Sequence, residues 1–490
     1  MTTSNLPLPL GVRSARTASS LLQRFATYGL SRGATELMLA VRGVLLAFLL
    51  GPAAFGTWAL LRLIMRYSAL AGISVYRGLE LELLQRRSAG ADEPADRPAA
   101  AALGFVLLVS GGIAGLALGC SFVVHDAADR LLLRGFAAAS LAESLYGYAL
   151  VCTRVRGNLR LYSMLETGTS VLHVIGAVAL GWLGGLAGAF LGLTLANLVG
   201  VMAASRWLEL RPVLRLEPVL RLLKVGLPVV LTLCVGLLLA TGDRWVVALW
   251  GGPTMLGHYA FAGSLTTGAA ALALVLRTVV FPEVYGQASS AGAATALQAH
   301  LARTLFPFAR LLPPLLGGVS LALGPVLSAA MPQYVEAIAP ARLFLLSGAA
   351  MGLVNLGSVG AVAAGRQRQL PAYALTALGL TLALSVLALA AGGGLGAVAG
   401  ATFAGHLLFA ALILRLNVRE SGLAGADRLI AAMLLPLVWC TAAVVISGAI
   451  FPRTDLGSMA GSLVLYLLLL LPLLPLLRKE LARLQGRTSG

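Results

Sequence analysis

Five arginines stand inside long apolar stretches of this sequence, where a positive charge is costly to place. They are Arg42, Arg62, Arg66, Arg244 and Arg277. A charged side chain at the centre of a membrane-spanning helix costs at least ~2.5 kcal/mol, so such residues are candidates for function by default. A planar guanidinium group binds phosphate oxygens through two parallel hydrogen bonds. The pattern therefore predicts a cavity that is lined by these arginines and binds an anionic cargo.

Four acidic residues lie in the same apolar stretches and could balance this positive charge. They are Glu36, Glu143, Glu166 and Asp243. Each could form an ion pair with an arginine or take part in ion coupling by binding a proton or Na⁺, and the sequence leaves both roles open. For Asp243, which directly precedes Arg244, an ion pair between helices is the leading interpretation.

Spacing and depth separate the arginines that could share a cavity from those that could not. Arg62 and Arg66 are four residues apart, so they share one face of a helix. Arg310 and Arg342 lie nearer the ends of their apolar stretches. For these two, a structural contact or snorkelling of the side chain toward the membrane surface is the leading interpretation.

The composition indicates that helices crossing a membrane position these residues. Of 490 residues, 59% are hydrophobic and 11% are charged, and the mean hydropathy is +0.90. Apolar runs recur at close to the ~20 residues that a helix needs to cross a bilayer. We therefore expect an all-α polytopic membrane protein with about fourteen transmembrane helices. They are placed at 28–50, 56–76, 101–123, 132–153, 162–184, 186–205, 225–250, 257–281, 304–327, 338–363, 371–391, 395–415, 429–450 and 458–477.

The distribution of lysine and arginine predicts how the chain is oriented. Most of the 36 basic residues fall in loops on the side that carries both termini, and Arg130, Arg134 and Arg453 fall on the other side. Cytoplasmic loops collect basic residues, so both termini are predicted to be cytoplasmic. The same topology accounts for the net charge of +17, and no nucleic-acid partner is predicted.

A short phrase occurs once in each half of the chain. GPAAFGTWA at 51–59 and GPTMLGHYA at 252–260 share the frame G-P-x-x-x-G-x-(W/Y)-A. Each lies in the predicted external turn between the first two helices of its half, so a duplication is the leading interpretation. The halves would then be parallel repeats with a site between them near mid-membrane. The aromatic residue of each phrase, Trp58 or Tyr259, is predicted to lie at the membrane interface.

The repeat divides the chain into two six-helix lobes and a C-terminal helix pair. We expect a cytoplasmic segment at 1–27, an N-lobe at 28–205 and a C-lobe at 225–417. A basic, amphipathic surface helix at 206–224 would link the lobes. Residues 418–490 would hold the last two helices and a basic cytoplasmic tail.

Several short motifs follow one another in an order that resembles a known transporter family. They are LLGPAAFGTW, ATGDRW (240–245), LWGGPTMLGHYAFAG, FPEVYG (281–286), MPQYVEA (331–337) and VGAVAAGRQRQ (359–369). In motif order and in the spacing of its halves, the chain resembles the Wzx-type polysaccharide flippases of the multidrug/oligosaccharidyl-lipid/polysaccharide (MOP) exporter superfamily. The resemblance covers the first twelve predicted helices.

The resemblance implies two six-helix lobes around a cavity in the bacterial cytoplasmic (inner) membrane. It also implies movement of a polyprenyl-diphosphate-linked oligosaccharide from the inner to the outer leaflet. Such a transporter would work beside a polymerase and glycosyltransferases of the same pathway, and it needs no cofactor. Its partners would be this lipid-linked glycan and the surrounding lipid bilayer.

Three other functions remain as alternatives. A membrane enzyme would need a catalytic platform, but the predicted loops are short and the five histidines show no triad or zinc spacing, so neither an enzyme nor a metal site is expected. A cation-coupled drug exporter of the same superfamily would favour acidic rather than basic residues in its cavity. A lipid II-type flippase would share the fold and mechanism and differ in the glycan.

Overall fold

The computed structural model consists of long α-helices. It describes the backbone of residues 10–88, 96–156, 158–208 and 211–484, and the side chains from 35 onward except 36, 84–97, 157, 159, 209–210, 266–272, 274, 278 and 484–490. No strand occurs in this part of the chain. The α-helices are α1 (Leu10–Ser88), α2 (Asp96–Val123), α3 (Ala127–Val155), α4 (Leu159–Ala204), α5 (Leu216–Ala291), α6 (Ala293–His300), α7 (Phe306–Ala330), α8 (Ile338–Ala363), α9 (Leu370–Ala390), α10 (Leu395–Ser421), α11 (Ala426–Ile450), α12 (Leu456–Leu469) and α13 (Leu474–Leu484).

Ten helical segments of the described chain are long and apolar enough to cross a membrane. This agrees with the prediction of an all-α polytopic membrane protein. The three longest helices each contain glycines whose backbone angles are not helical. These glycines are Gly51 in α1, Gly184 and Gly185 in α4, and Gly252 in α5.

The chain reverses direction at the glycine turns of α4 and α5. In α5 the Tyr259 hydroxyl donates a hydrogen bond of 2.7 Å to Oδ2 of Asp243. In α4 the ring Nε2 of His173 lies 3.0 Å from Oδ1 of Asn197. Straight α-helices would hold these two pairs roughly 24 and 36 Å apart. Each of the two helices is therefore a hairpin of two arms.

The turn in α1 has the same backbone geometry as the turn in α5. Gly51 has a φ of 74° and Gly252 a φ of 70°, values that glycine adopts readily because it has no Cβ. The chain also folds back in α1, because the guanidinium carbon of Arg42 lies 5.9 Å from the ring centroid of Trp58. The repeated phrase thus begins at the same kind of helical reversal in each half.

The two repeated turns pack directly against each other. A Cβ at Gly56 would lie 1.7 Å from the carbonyl oxygen of Pro253, and a Cβ at Gly257 would lie 1.9 Å from that of Pro52. Each glycine therefore admits a backbone segment from the opposite half of the chain, and the contact is reciprocal. This is the contact that two equivalent hairpins related by an approximate two-fold axis would make.

The aromatic residues of the two phrases are packed in the protein interior. Trp58 is 4% exposed and Tyr259 is fully buried. Trp58 packs on Phe190 with 4.7 Å between ring centroids, and Tyr259 packs on Phe344 at 5.0 Å. An aromatic ring near a helix end suits a packed turn as well as an interface, so the interfacial depth of the two rings stays a prediction.

Residues 206–224 do not form the single surface helix that was predicted. The helix α5 begins only at Leu216, and the described residues between a short 3-10 turn and α5 are not helical, with extended backbone angles at Leu208 and Arg215. Pro212 explains the difference, because proline disfavours helix for itself and for the residue before it. The backbone N–H of Val213 donates to the carbonyl of Ala100 at 3.1 Å, so this linker runs along the start of α2.

The last predicted helix, 458–477, is interrupted. α12 ends at Leu469, a 3-10 turn containing Pro472 follows, and α13 begins at Leu474. The indole N–H of Trp439 donates to the carbonyl of Leu469 at 2.6 Å and satisfies an acceptor at the break. Residues 1–9 and 485–490 of the predicted terminal segments lie outside the described residues.

Candidate functional site

A cavity of about 460 Å³ is lined by α1, α3, α4 and α5. Its lining carries more positive than negative side chains, because four arginines face two glutamates. An apolar surface interrupted by a few convergent polar groups is the usual composition of a small-molecule site. The charged lining residues are Arg42, Arg62, Arg66, Arg244, Glu143 and Glu166.

Arg42 reaches this cavity from the first arm of α1. Only 8% of the residue is exposed, and its guanidinium carbon lies 5.9 Å from the Trp58 ring centroid, a cation–π distance. Nη1 of Arg42 is enclosed and has no hydrogen-bond partner among the described residues. A buried donor without an acceptor is costly, so this N–H group is suited to bind an oxygen atom of a cargo.

Arg62 and Glu143 form an ion pair across the cavity wall. Arg62 donates to both carboxylate oxygens of Glu143, with 3.3 Å from Nη2 to Oε1 and a shorter contact from Nη1 to Oε2. The two side chains are 24% and 34% exposed. Of the two roles left open for Glu143, the structure shows the ion pair, and the pair reduces the net positive charge that Arg62 adds to the cavity.

Two further arginines line the cavity from the second arm of α1 and the first arm of α5. Arg66 follows Arg62 by one helical turn and is exposed. Arg244 is half-buried, and a Cβ at Gly263 would lie 2.8 Å from its Nη2. The missing side chain at Gly263 therefore makes room for this guanidinium group between the arms of α5.

Asp243 is buried, and its described side-chain contacts are not with an arginine side chain. Oδ2 of Asp243 accepts hydrogen bonds from the hydroxyls of Tyr259 at 2.7 Å and Thr402 at 2.8 Å. Oδ1 accepts one from the backbone N–H of Arg244 at 2.9 Å. The predicted inter-helix ion pair is thus not found among the described residues. Adjacent helical residues point about 100° apart, so Arg244 faces the cavity while Asp243 faces α10.

Besides Asp243, two more of the predicted site residues are not placed in this cavity. Arg277 is absent from its lining, because it lies more than three turns of α5 beyond the lining residue Ser264, roughly 20 Å along the helix axis. Glu36 lies outside the described side chains.

Arg310 and Arg342 have structural surroundings instead. Arg310 forms a buried ion pair with Glu480 of α13. Arg342 fits between two glycines, since a Cβ at Gly324 or Gly448 would lie 3.2 or 2.6 Å from its guanidinium nitrogens.

Several polar residues of the cavity were not predicted from the sequence. His173 and Asn197 form the hydrogen bond described above, and Tyr146 and Thr169 lie beside them in the lining. Trp58 also lines the cavity. Single polar residues in apolar helices carry no spacing signal, so the facing of each helix would have been needed to find them.

No cluster of three or more histidine, cysteine, aspartate or glutamate side chains in the described part of the chain is arranged to hold a metal ion. The hydrogen-bonding capacity of the cavity therefore comes from guanidinium, carboxylate, hydroxyl, amide and imidazole groups. This combination suits a cargo that carries anionic and hydroxyl groups together.

Comparison with known proteins gives a family and a fold. The family described as "Polysaccharide biosynthesis protein" matches residues 21–284. No curated protein matches the chain at a significant level. Among solved structures, the lipid II flippase MurJ in an inward closed conformation aligns with a TM-score of 0.64 and 13% identity, over 90% of this chain and 97% of that chain.

Transporters of another kind align almost as well. An inward-facing multidrug resistance transporter of the MATE family in the MOP superfamily gives a TM-score of 0.60 and 15% identity, over 84% of this chain and 95% of that one. A mutant of the Vibrio cholerae MATE transporter VcmN gives 0.53 and 18%, over 82% and 98%. At these identities the likeness concerns the fold, and the chemistry must be argued from the cavity.

Proposed function

We propose that this chain, which belongs to the polysaccharide biosynthesis protein family, moves a polyprenyl-diphosphate-linked oligosaccharide from the inner to the outer leaflet of the bacterial cytoplasmic membrane. The observation that carries the proposal is the charge of the cavity. Four arginines line it against two glutamates, and Nη1 of the buried Arg42 has no described partner. A diphosphate is the anion on a lipid carrier that would meet these donors, through charge-assisted hydrogen bonds.

Each part of such a cargo would find a different environment. The diphosphate would bind among the guanidinium groups of Arg42, Arg66 and Arg244, which line the cavity, while the Arg62 side chain is held by Glu143. Sugar hydroxyls would bind the polar groups around His173 and Asn197 and pack against Trp58. The polyprenyl chain would stay in the bilayer, since an apolar tail gains nothing from entering a polar cavity.

The topology we propose has about fourteen crossings with both termini in the cytoplasm. Dividing α1, α4 and α5 at their glycine turns gives two arms each, as the hairpin contacts require. The predicted lobes, 28–205 and 225–417, would then rock about the cavity between them. The glycine turns would lie on the external side.

The conformation described here is closed on the side of these turns. The Tyr334 hydroxyl donates to the carbonyl of Ala47 at 3.0 Å, and the Phe55 ring meets that of Tyr334 with 6.5 Å between centroids. Opening toward the outer leaflet would separate these contacts together with the reciprocal glycine contacts. Cargo entry and release would thereby alternate between the two sides.

Coupling to an ion gradient would use a carboxylate that the arginines leave available. Asp243 is such a group, because its described donors are two hydroxyls and one backbone N–H. Hydroxyl groups beside a buried carboxylate can turn their oxygen atoms toward a bound Na⁺. They can also reorient when the carboxylate binds a proton. We propose Asp243 ahead of Glu143, and Glu166 stays a second candidate inside the cavity.

Two related functions differ from this proposal in cargo. A cation-coupled drug exporter would bind positively charged compounds, which the arginines of the cavity repel. A lipid II-type flippase would bind the same diphosphate and a different glycan. The aligned lipid II flippase supports a common fold for such cargoes and does not distinguish the glycans.

The direct test measures transbilayer movement in liposomes that contain the purified full-length protein. A fluorescent polyprenyl-diphosphate oligosaccharide should become accessible to a membrane-impermeant quencher with the wild-type protein. Arg42→Ala and Arg66→Ala should each slow this movement at least roughly tenfold, the order expected for one lost charge-assisted hydrogen bond. Arg368→Ala, which removes an exposed charge outside the cavity, should not. Full-rate movement by both cavity variants, or transport of a cationic dye in place of the lipid, would refute the proposal.

A further inference from the structure

A second cavity, of about 640 Å³, lies between the second arm of α5 and the segment formed by α6 and α7. It shares no lining residue with the arginine-lined cavity of about 460 Å³, which we call the central cavity. Val279 and Leu315 on its walls are 53% and 62% exposed, so it is a groove that opens on the outer surface of the helices. Its walls are apolar over most of their length: Val275, Val279, Val284, Phe308, Leu311 and Leu315.

One end of this groove is polar. Glu283 is exposed there, and Oε1 of its carboxylate accepts a hydrogen bond from the Gln287 amide at 3.3 Å. Arg303 is exposed on the opposite wall and has no ion-pair partner among the described residues. One positive and one negative group thus stand at the mouth of an apolar channel, at the end near the short α5–α6 turn.

The backbone is irregular at this polar end. Leu301–Leu305 form a π-turn, closed by a hydrogen bond from the Phe306 N–H to the carbonyl of Leu301. Pro307 has no N–H, so the carbonyl of Arg303 lacks its α-helical donor. π-turns inside helices occur frequently at functional sites. The irregular segment therefore coincides with the end of the groove that carries Glu283 and Arg303.

We propose that this groove binds an aminophospholipid of the phosphatidylethanolamine type. Its acyl chain lies along the apolar walls, its phosphate accepts hydrogen bonds from Arg303, and its ammonium donates to Glu283. Arg303 alone would suit any anionic lipid, but the carboxylate of Glu283 disfavours a purely negative headgroup and favours one that carries an ammonium. The proposal is independent of the cargo of the central cavity.

The test uses the full-length protein in detergent, titrated with dioleoyl phosphatidylethanolamine or dioleoyl phosphatidylglycerol and followed by native mass spectrometry. We expect the wild-type protein to bind phosphatidylethanolamine in preference. Arg303→Gln should weaken this binding roughly tenfold, as one lost charge-assisted hydrogen bond would. Glu283→Gln should remove the preference between the two lipids, and Val279→Trp should block the groove and abolish binding of both.

Matched controls separate the groove from the rest of the lipid-facing surface. Val326→Trp adds the same bulk at an exposed position of α7 outside the groove, and Arg368→Gln removes the same charge in the turn before α9. Both should bind as the wild type does. Equal binding of the two lipids by the wild-type protein overturns the proposal, and so does unchanged binding by Val279→Trp and Arg303→Gln. A circular-dichroism melt of each variant verifies that loss of binding is not loss of fold.

Discussion

At the scale of single residues, the Arg62–Glu143 ion pair neutralises part of the charge of the cavity wall, and we expect it to stabilise the fold. Glu143→Gln leaves Arg62 without its counter-charge, so the free energy of unfolding should fall by about 1–3 kcal/mol. The double variant Arg62→Met with Glu143→Gln should recover part of this loss, because replacing both partners leaves no unpaired charge. Thermal unfolding in detergent measures both effects.

The control for this prediction is a surface ion pair. Glu217 binds Arg221 one helical turn away, with the Glu217 side chain 85% exposed. Glu217→Gln should change the stability by less than about 0.5 kcal/mol, since solvent screens such a pair. If Glu143→Gln were equally silent, the contact with Arg62 would not contribute to stability.

A second prediction at this scale concerns ion coupling. Asp243→Asn keeps an acceptor oxygen for Tyr259 and Thr402 but removes the charge that a proton or Na⁺ would neutralise. We expect the variant to move its cargo without responding to an imposed proton or sodium gradient. Flux in liposomes with and without each gradient provides the measurement. Asp427→Asn, an exposed carboxylate, should retain the gradient response; a retained response in Asp243→Asn would remove Asp243 from the coupling scheme.

The charged residues of the site were predictable individually, and their pairing was not. Arg42, Arg62, Arg66 and Arg244 stand out because a charge in an apolar stretch is rare, and the structure places all four in one cavity. The ion pair between Arg62 and Glu143 joins residues 81 positions apart. Hydropathy reports the depth of a residue along a helix and not the direction its side chain faces.

At the scale of elements, the repeated turns connect local sequence to conformational change. A leucine at position 257 cannot fit the described contact, because even its Cβ would lie 1.9 Å from the Pro52 carbonyl. We expect Gly257→Leu to favour a conformation open on the side of the turns. An external, impermeant maleimide should then label Ser264→Cys several-fold faster in a cysteine-free background.

The matched control is a glycine in another helical reversal. A Cβ at Gly184 would have no neighbour within 4 Å, and its φ of −130° suits any residue. Gly184→Leu should therefore leave the labelling rate unchanged. Equal rates in the Gly257→Leu and Gly184→Leu proteins would show that the turn contact does not hold this side closed.

Elements differ in how far the sequence predicts them. Glycine followed by proline at 51–52 and 252–253 predicts a helical reversal, because glycine permits a positive φ and proline fixes φ and lacks an N–H donor. The prediction of a surface helix at 206–224 was wrong. The charge and apolar content of this linker fit such a helix, but Pro212 disfavours it. At both places the proline and glycine residues predict the backbone path better than charge and hydropathy do.

At the scale of the whole molecule, the two halves of the chain meet along α1 and α5. The first arm of α1 packs on the second arm of α5, where Gly43 faces Ser264. The second arm of α1 packs on the first arm of α5, where Gly78 approaches the backbone of Leu222. The repeated phrase in the sequence predicts two equivalent halves. It does not predict which arm of α1 packs on which arm of α5, because these contacts join residues far apart in the chain.

The proposed rocking motion requires that α1 and α5 separate where Gly43 meets Ser264. A Cβ at Gly43 would lie 3.1 Å from the Cβ of Ser264, close to the roughly 3.5–4.5 Å of a disulfide. We expect a Gly43→Cys, Ser264→Cys protein without its native cysteines to lose cargo movement on oxidation and to regain it on reduction. Fluorescence quenching in liposomes measures both states.

The control disulfide lies inside one hairpin and should not hinder the motion. A Cβ at Gly181 would lie 3.4 Å from the Cβ of Ala189, and both residues belong to α4. Oxidised Gly181→Cys, Ala189→Cys protein should transport at the rate of its reduced form, because the two arms of α4 move as one body. If the bridge between α1 and α5 forms completely and transport continues, the halves do not separate along this seam, and cargo must cross by a movement within one lobe.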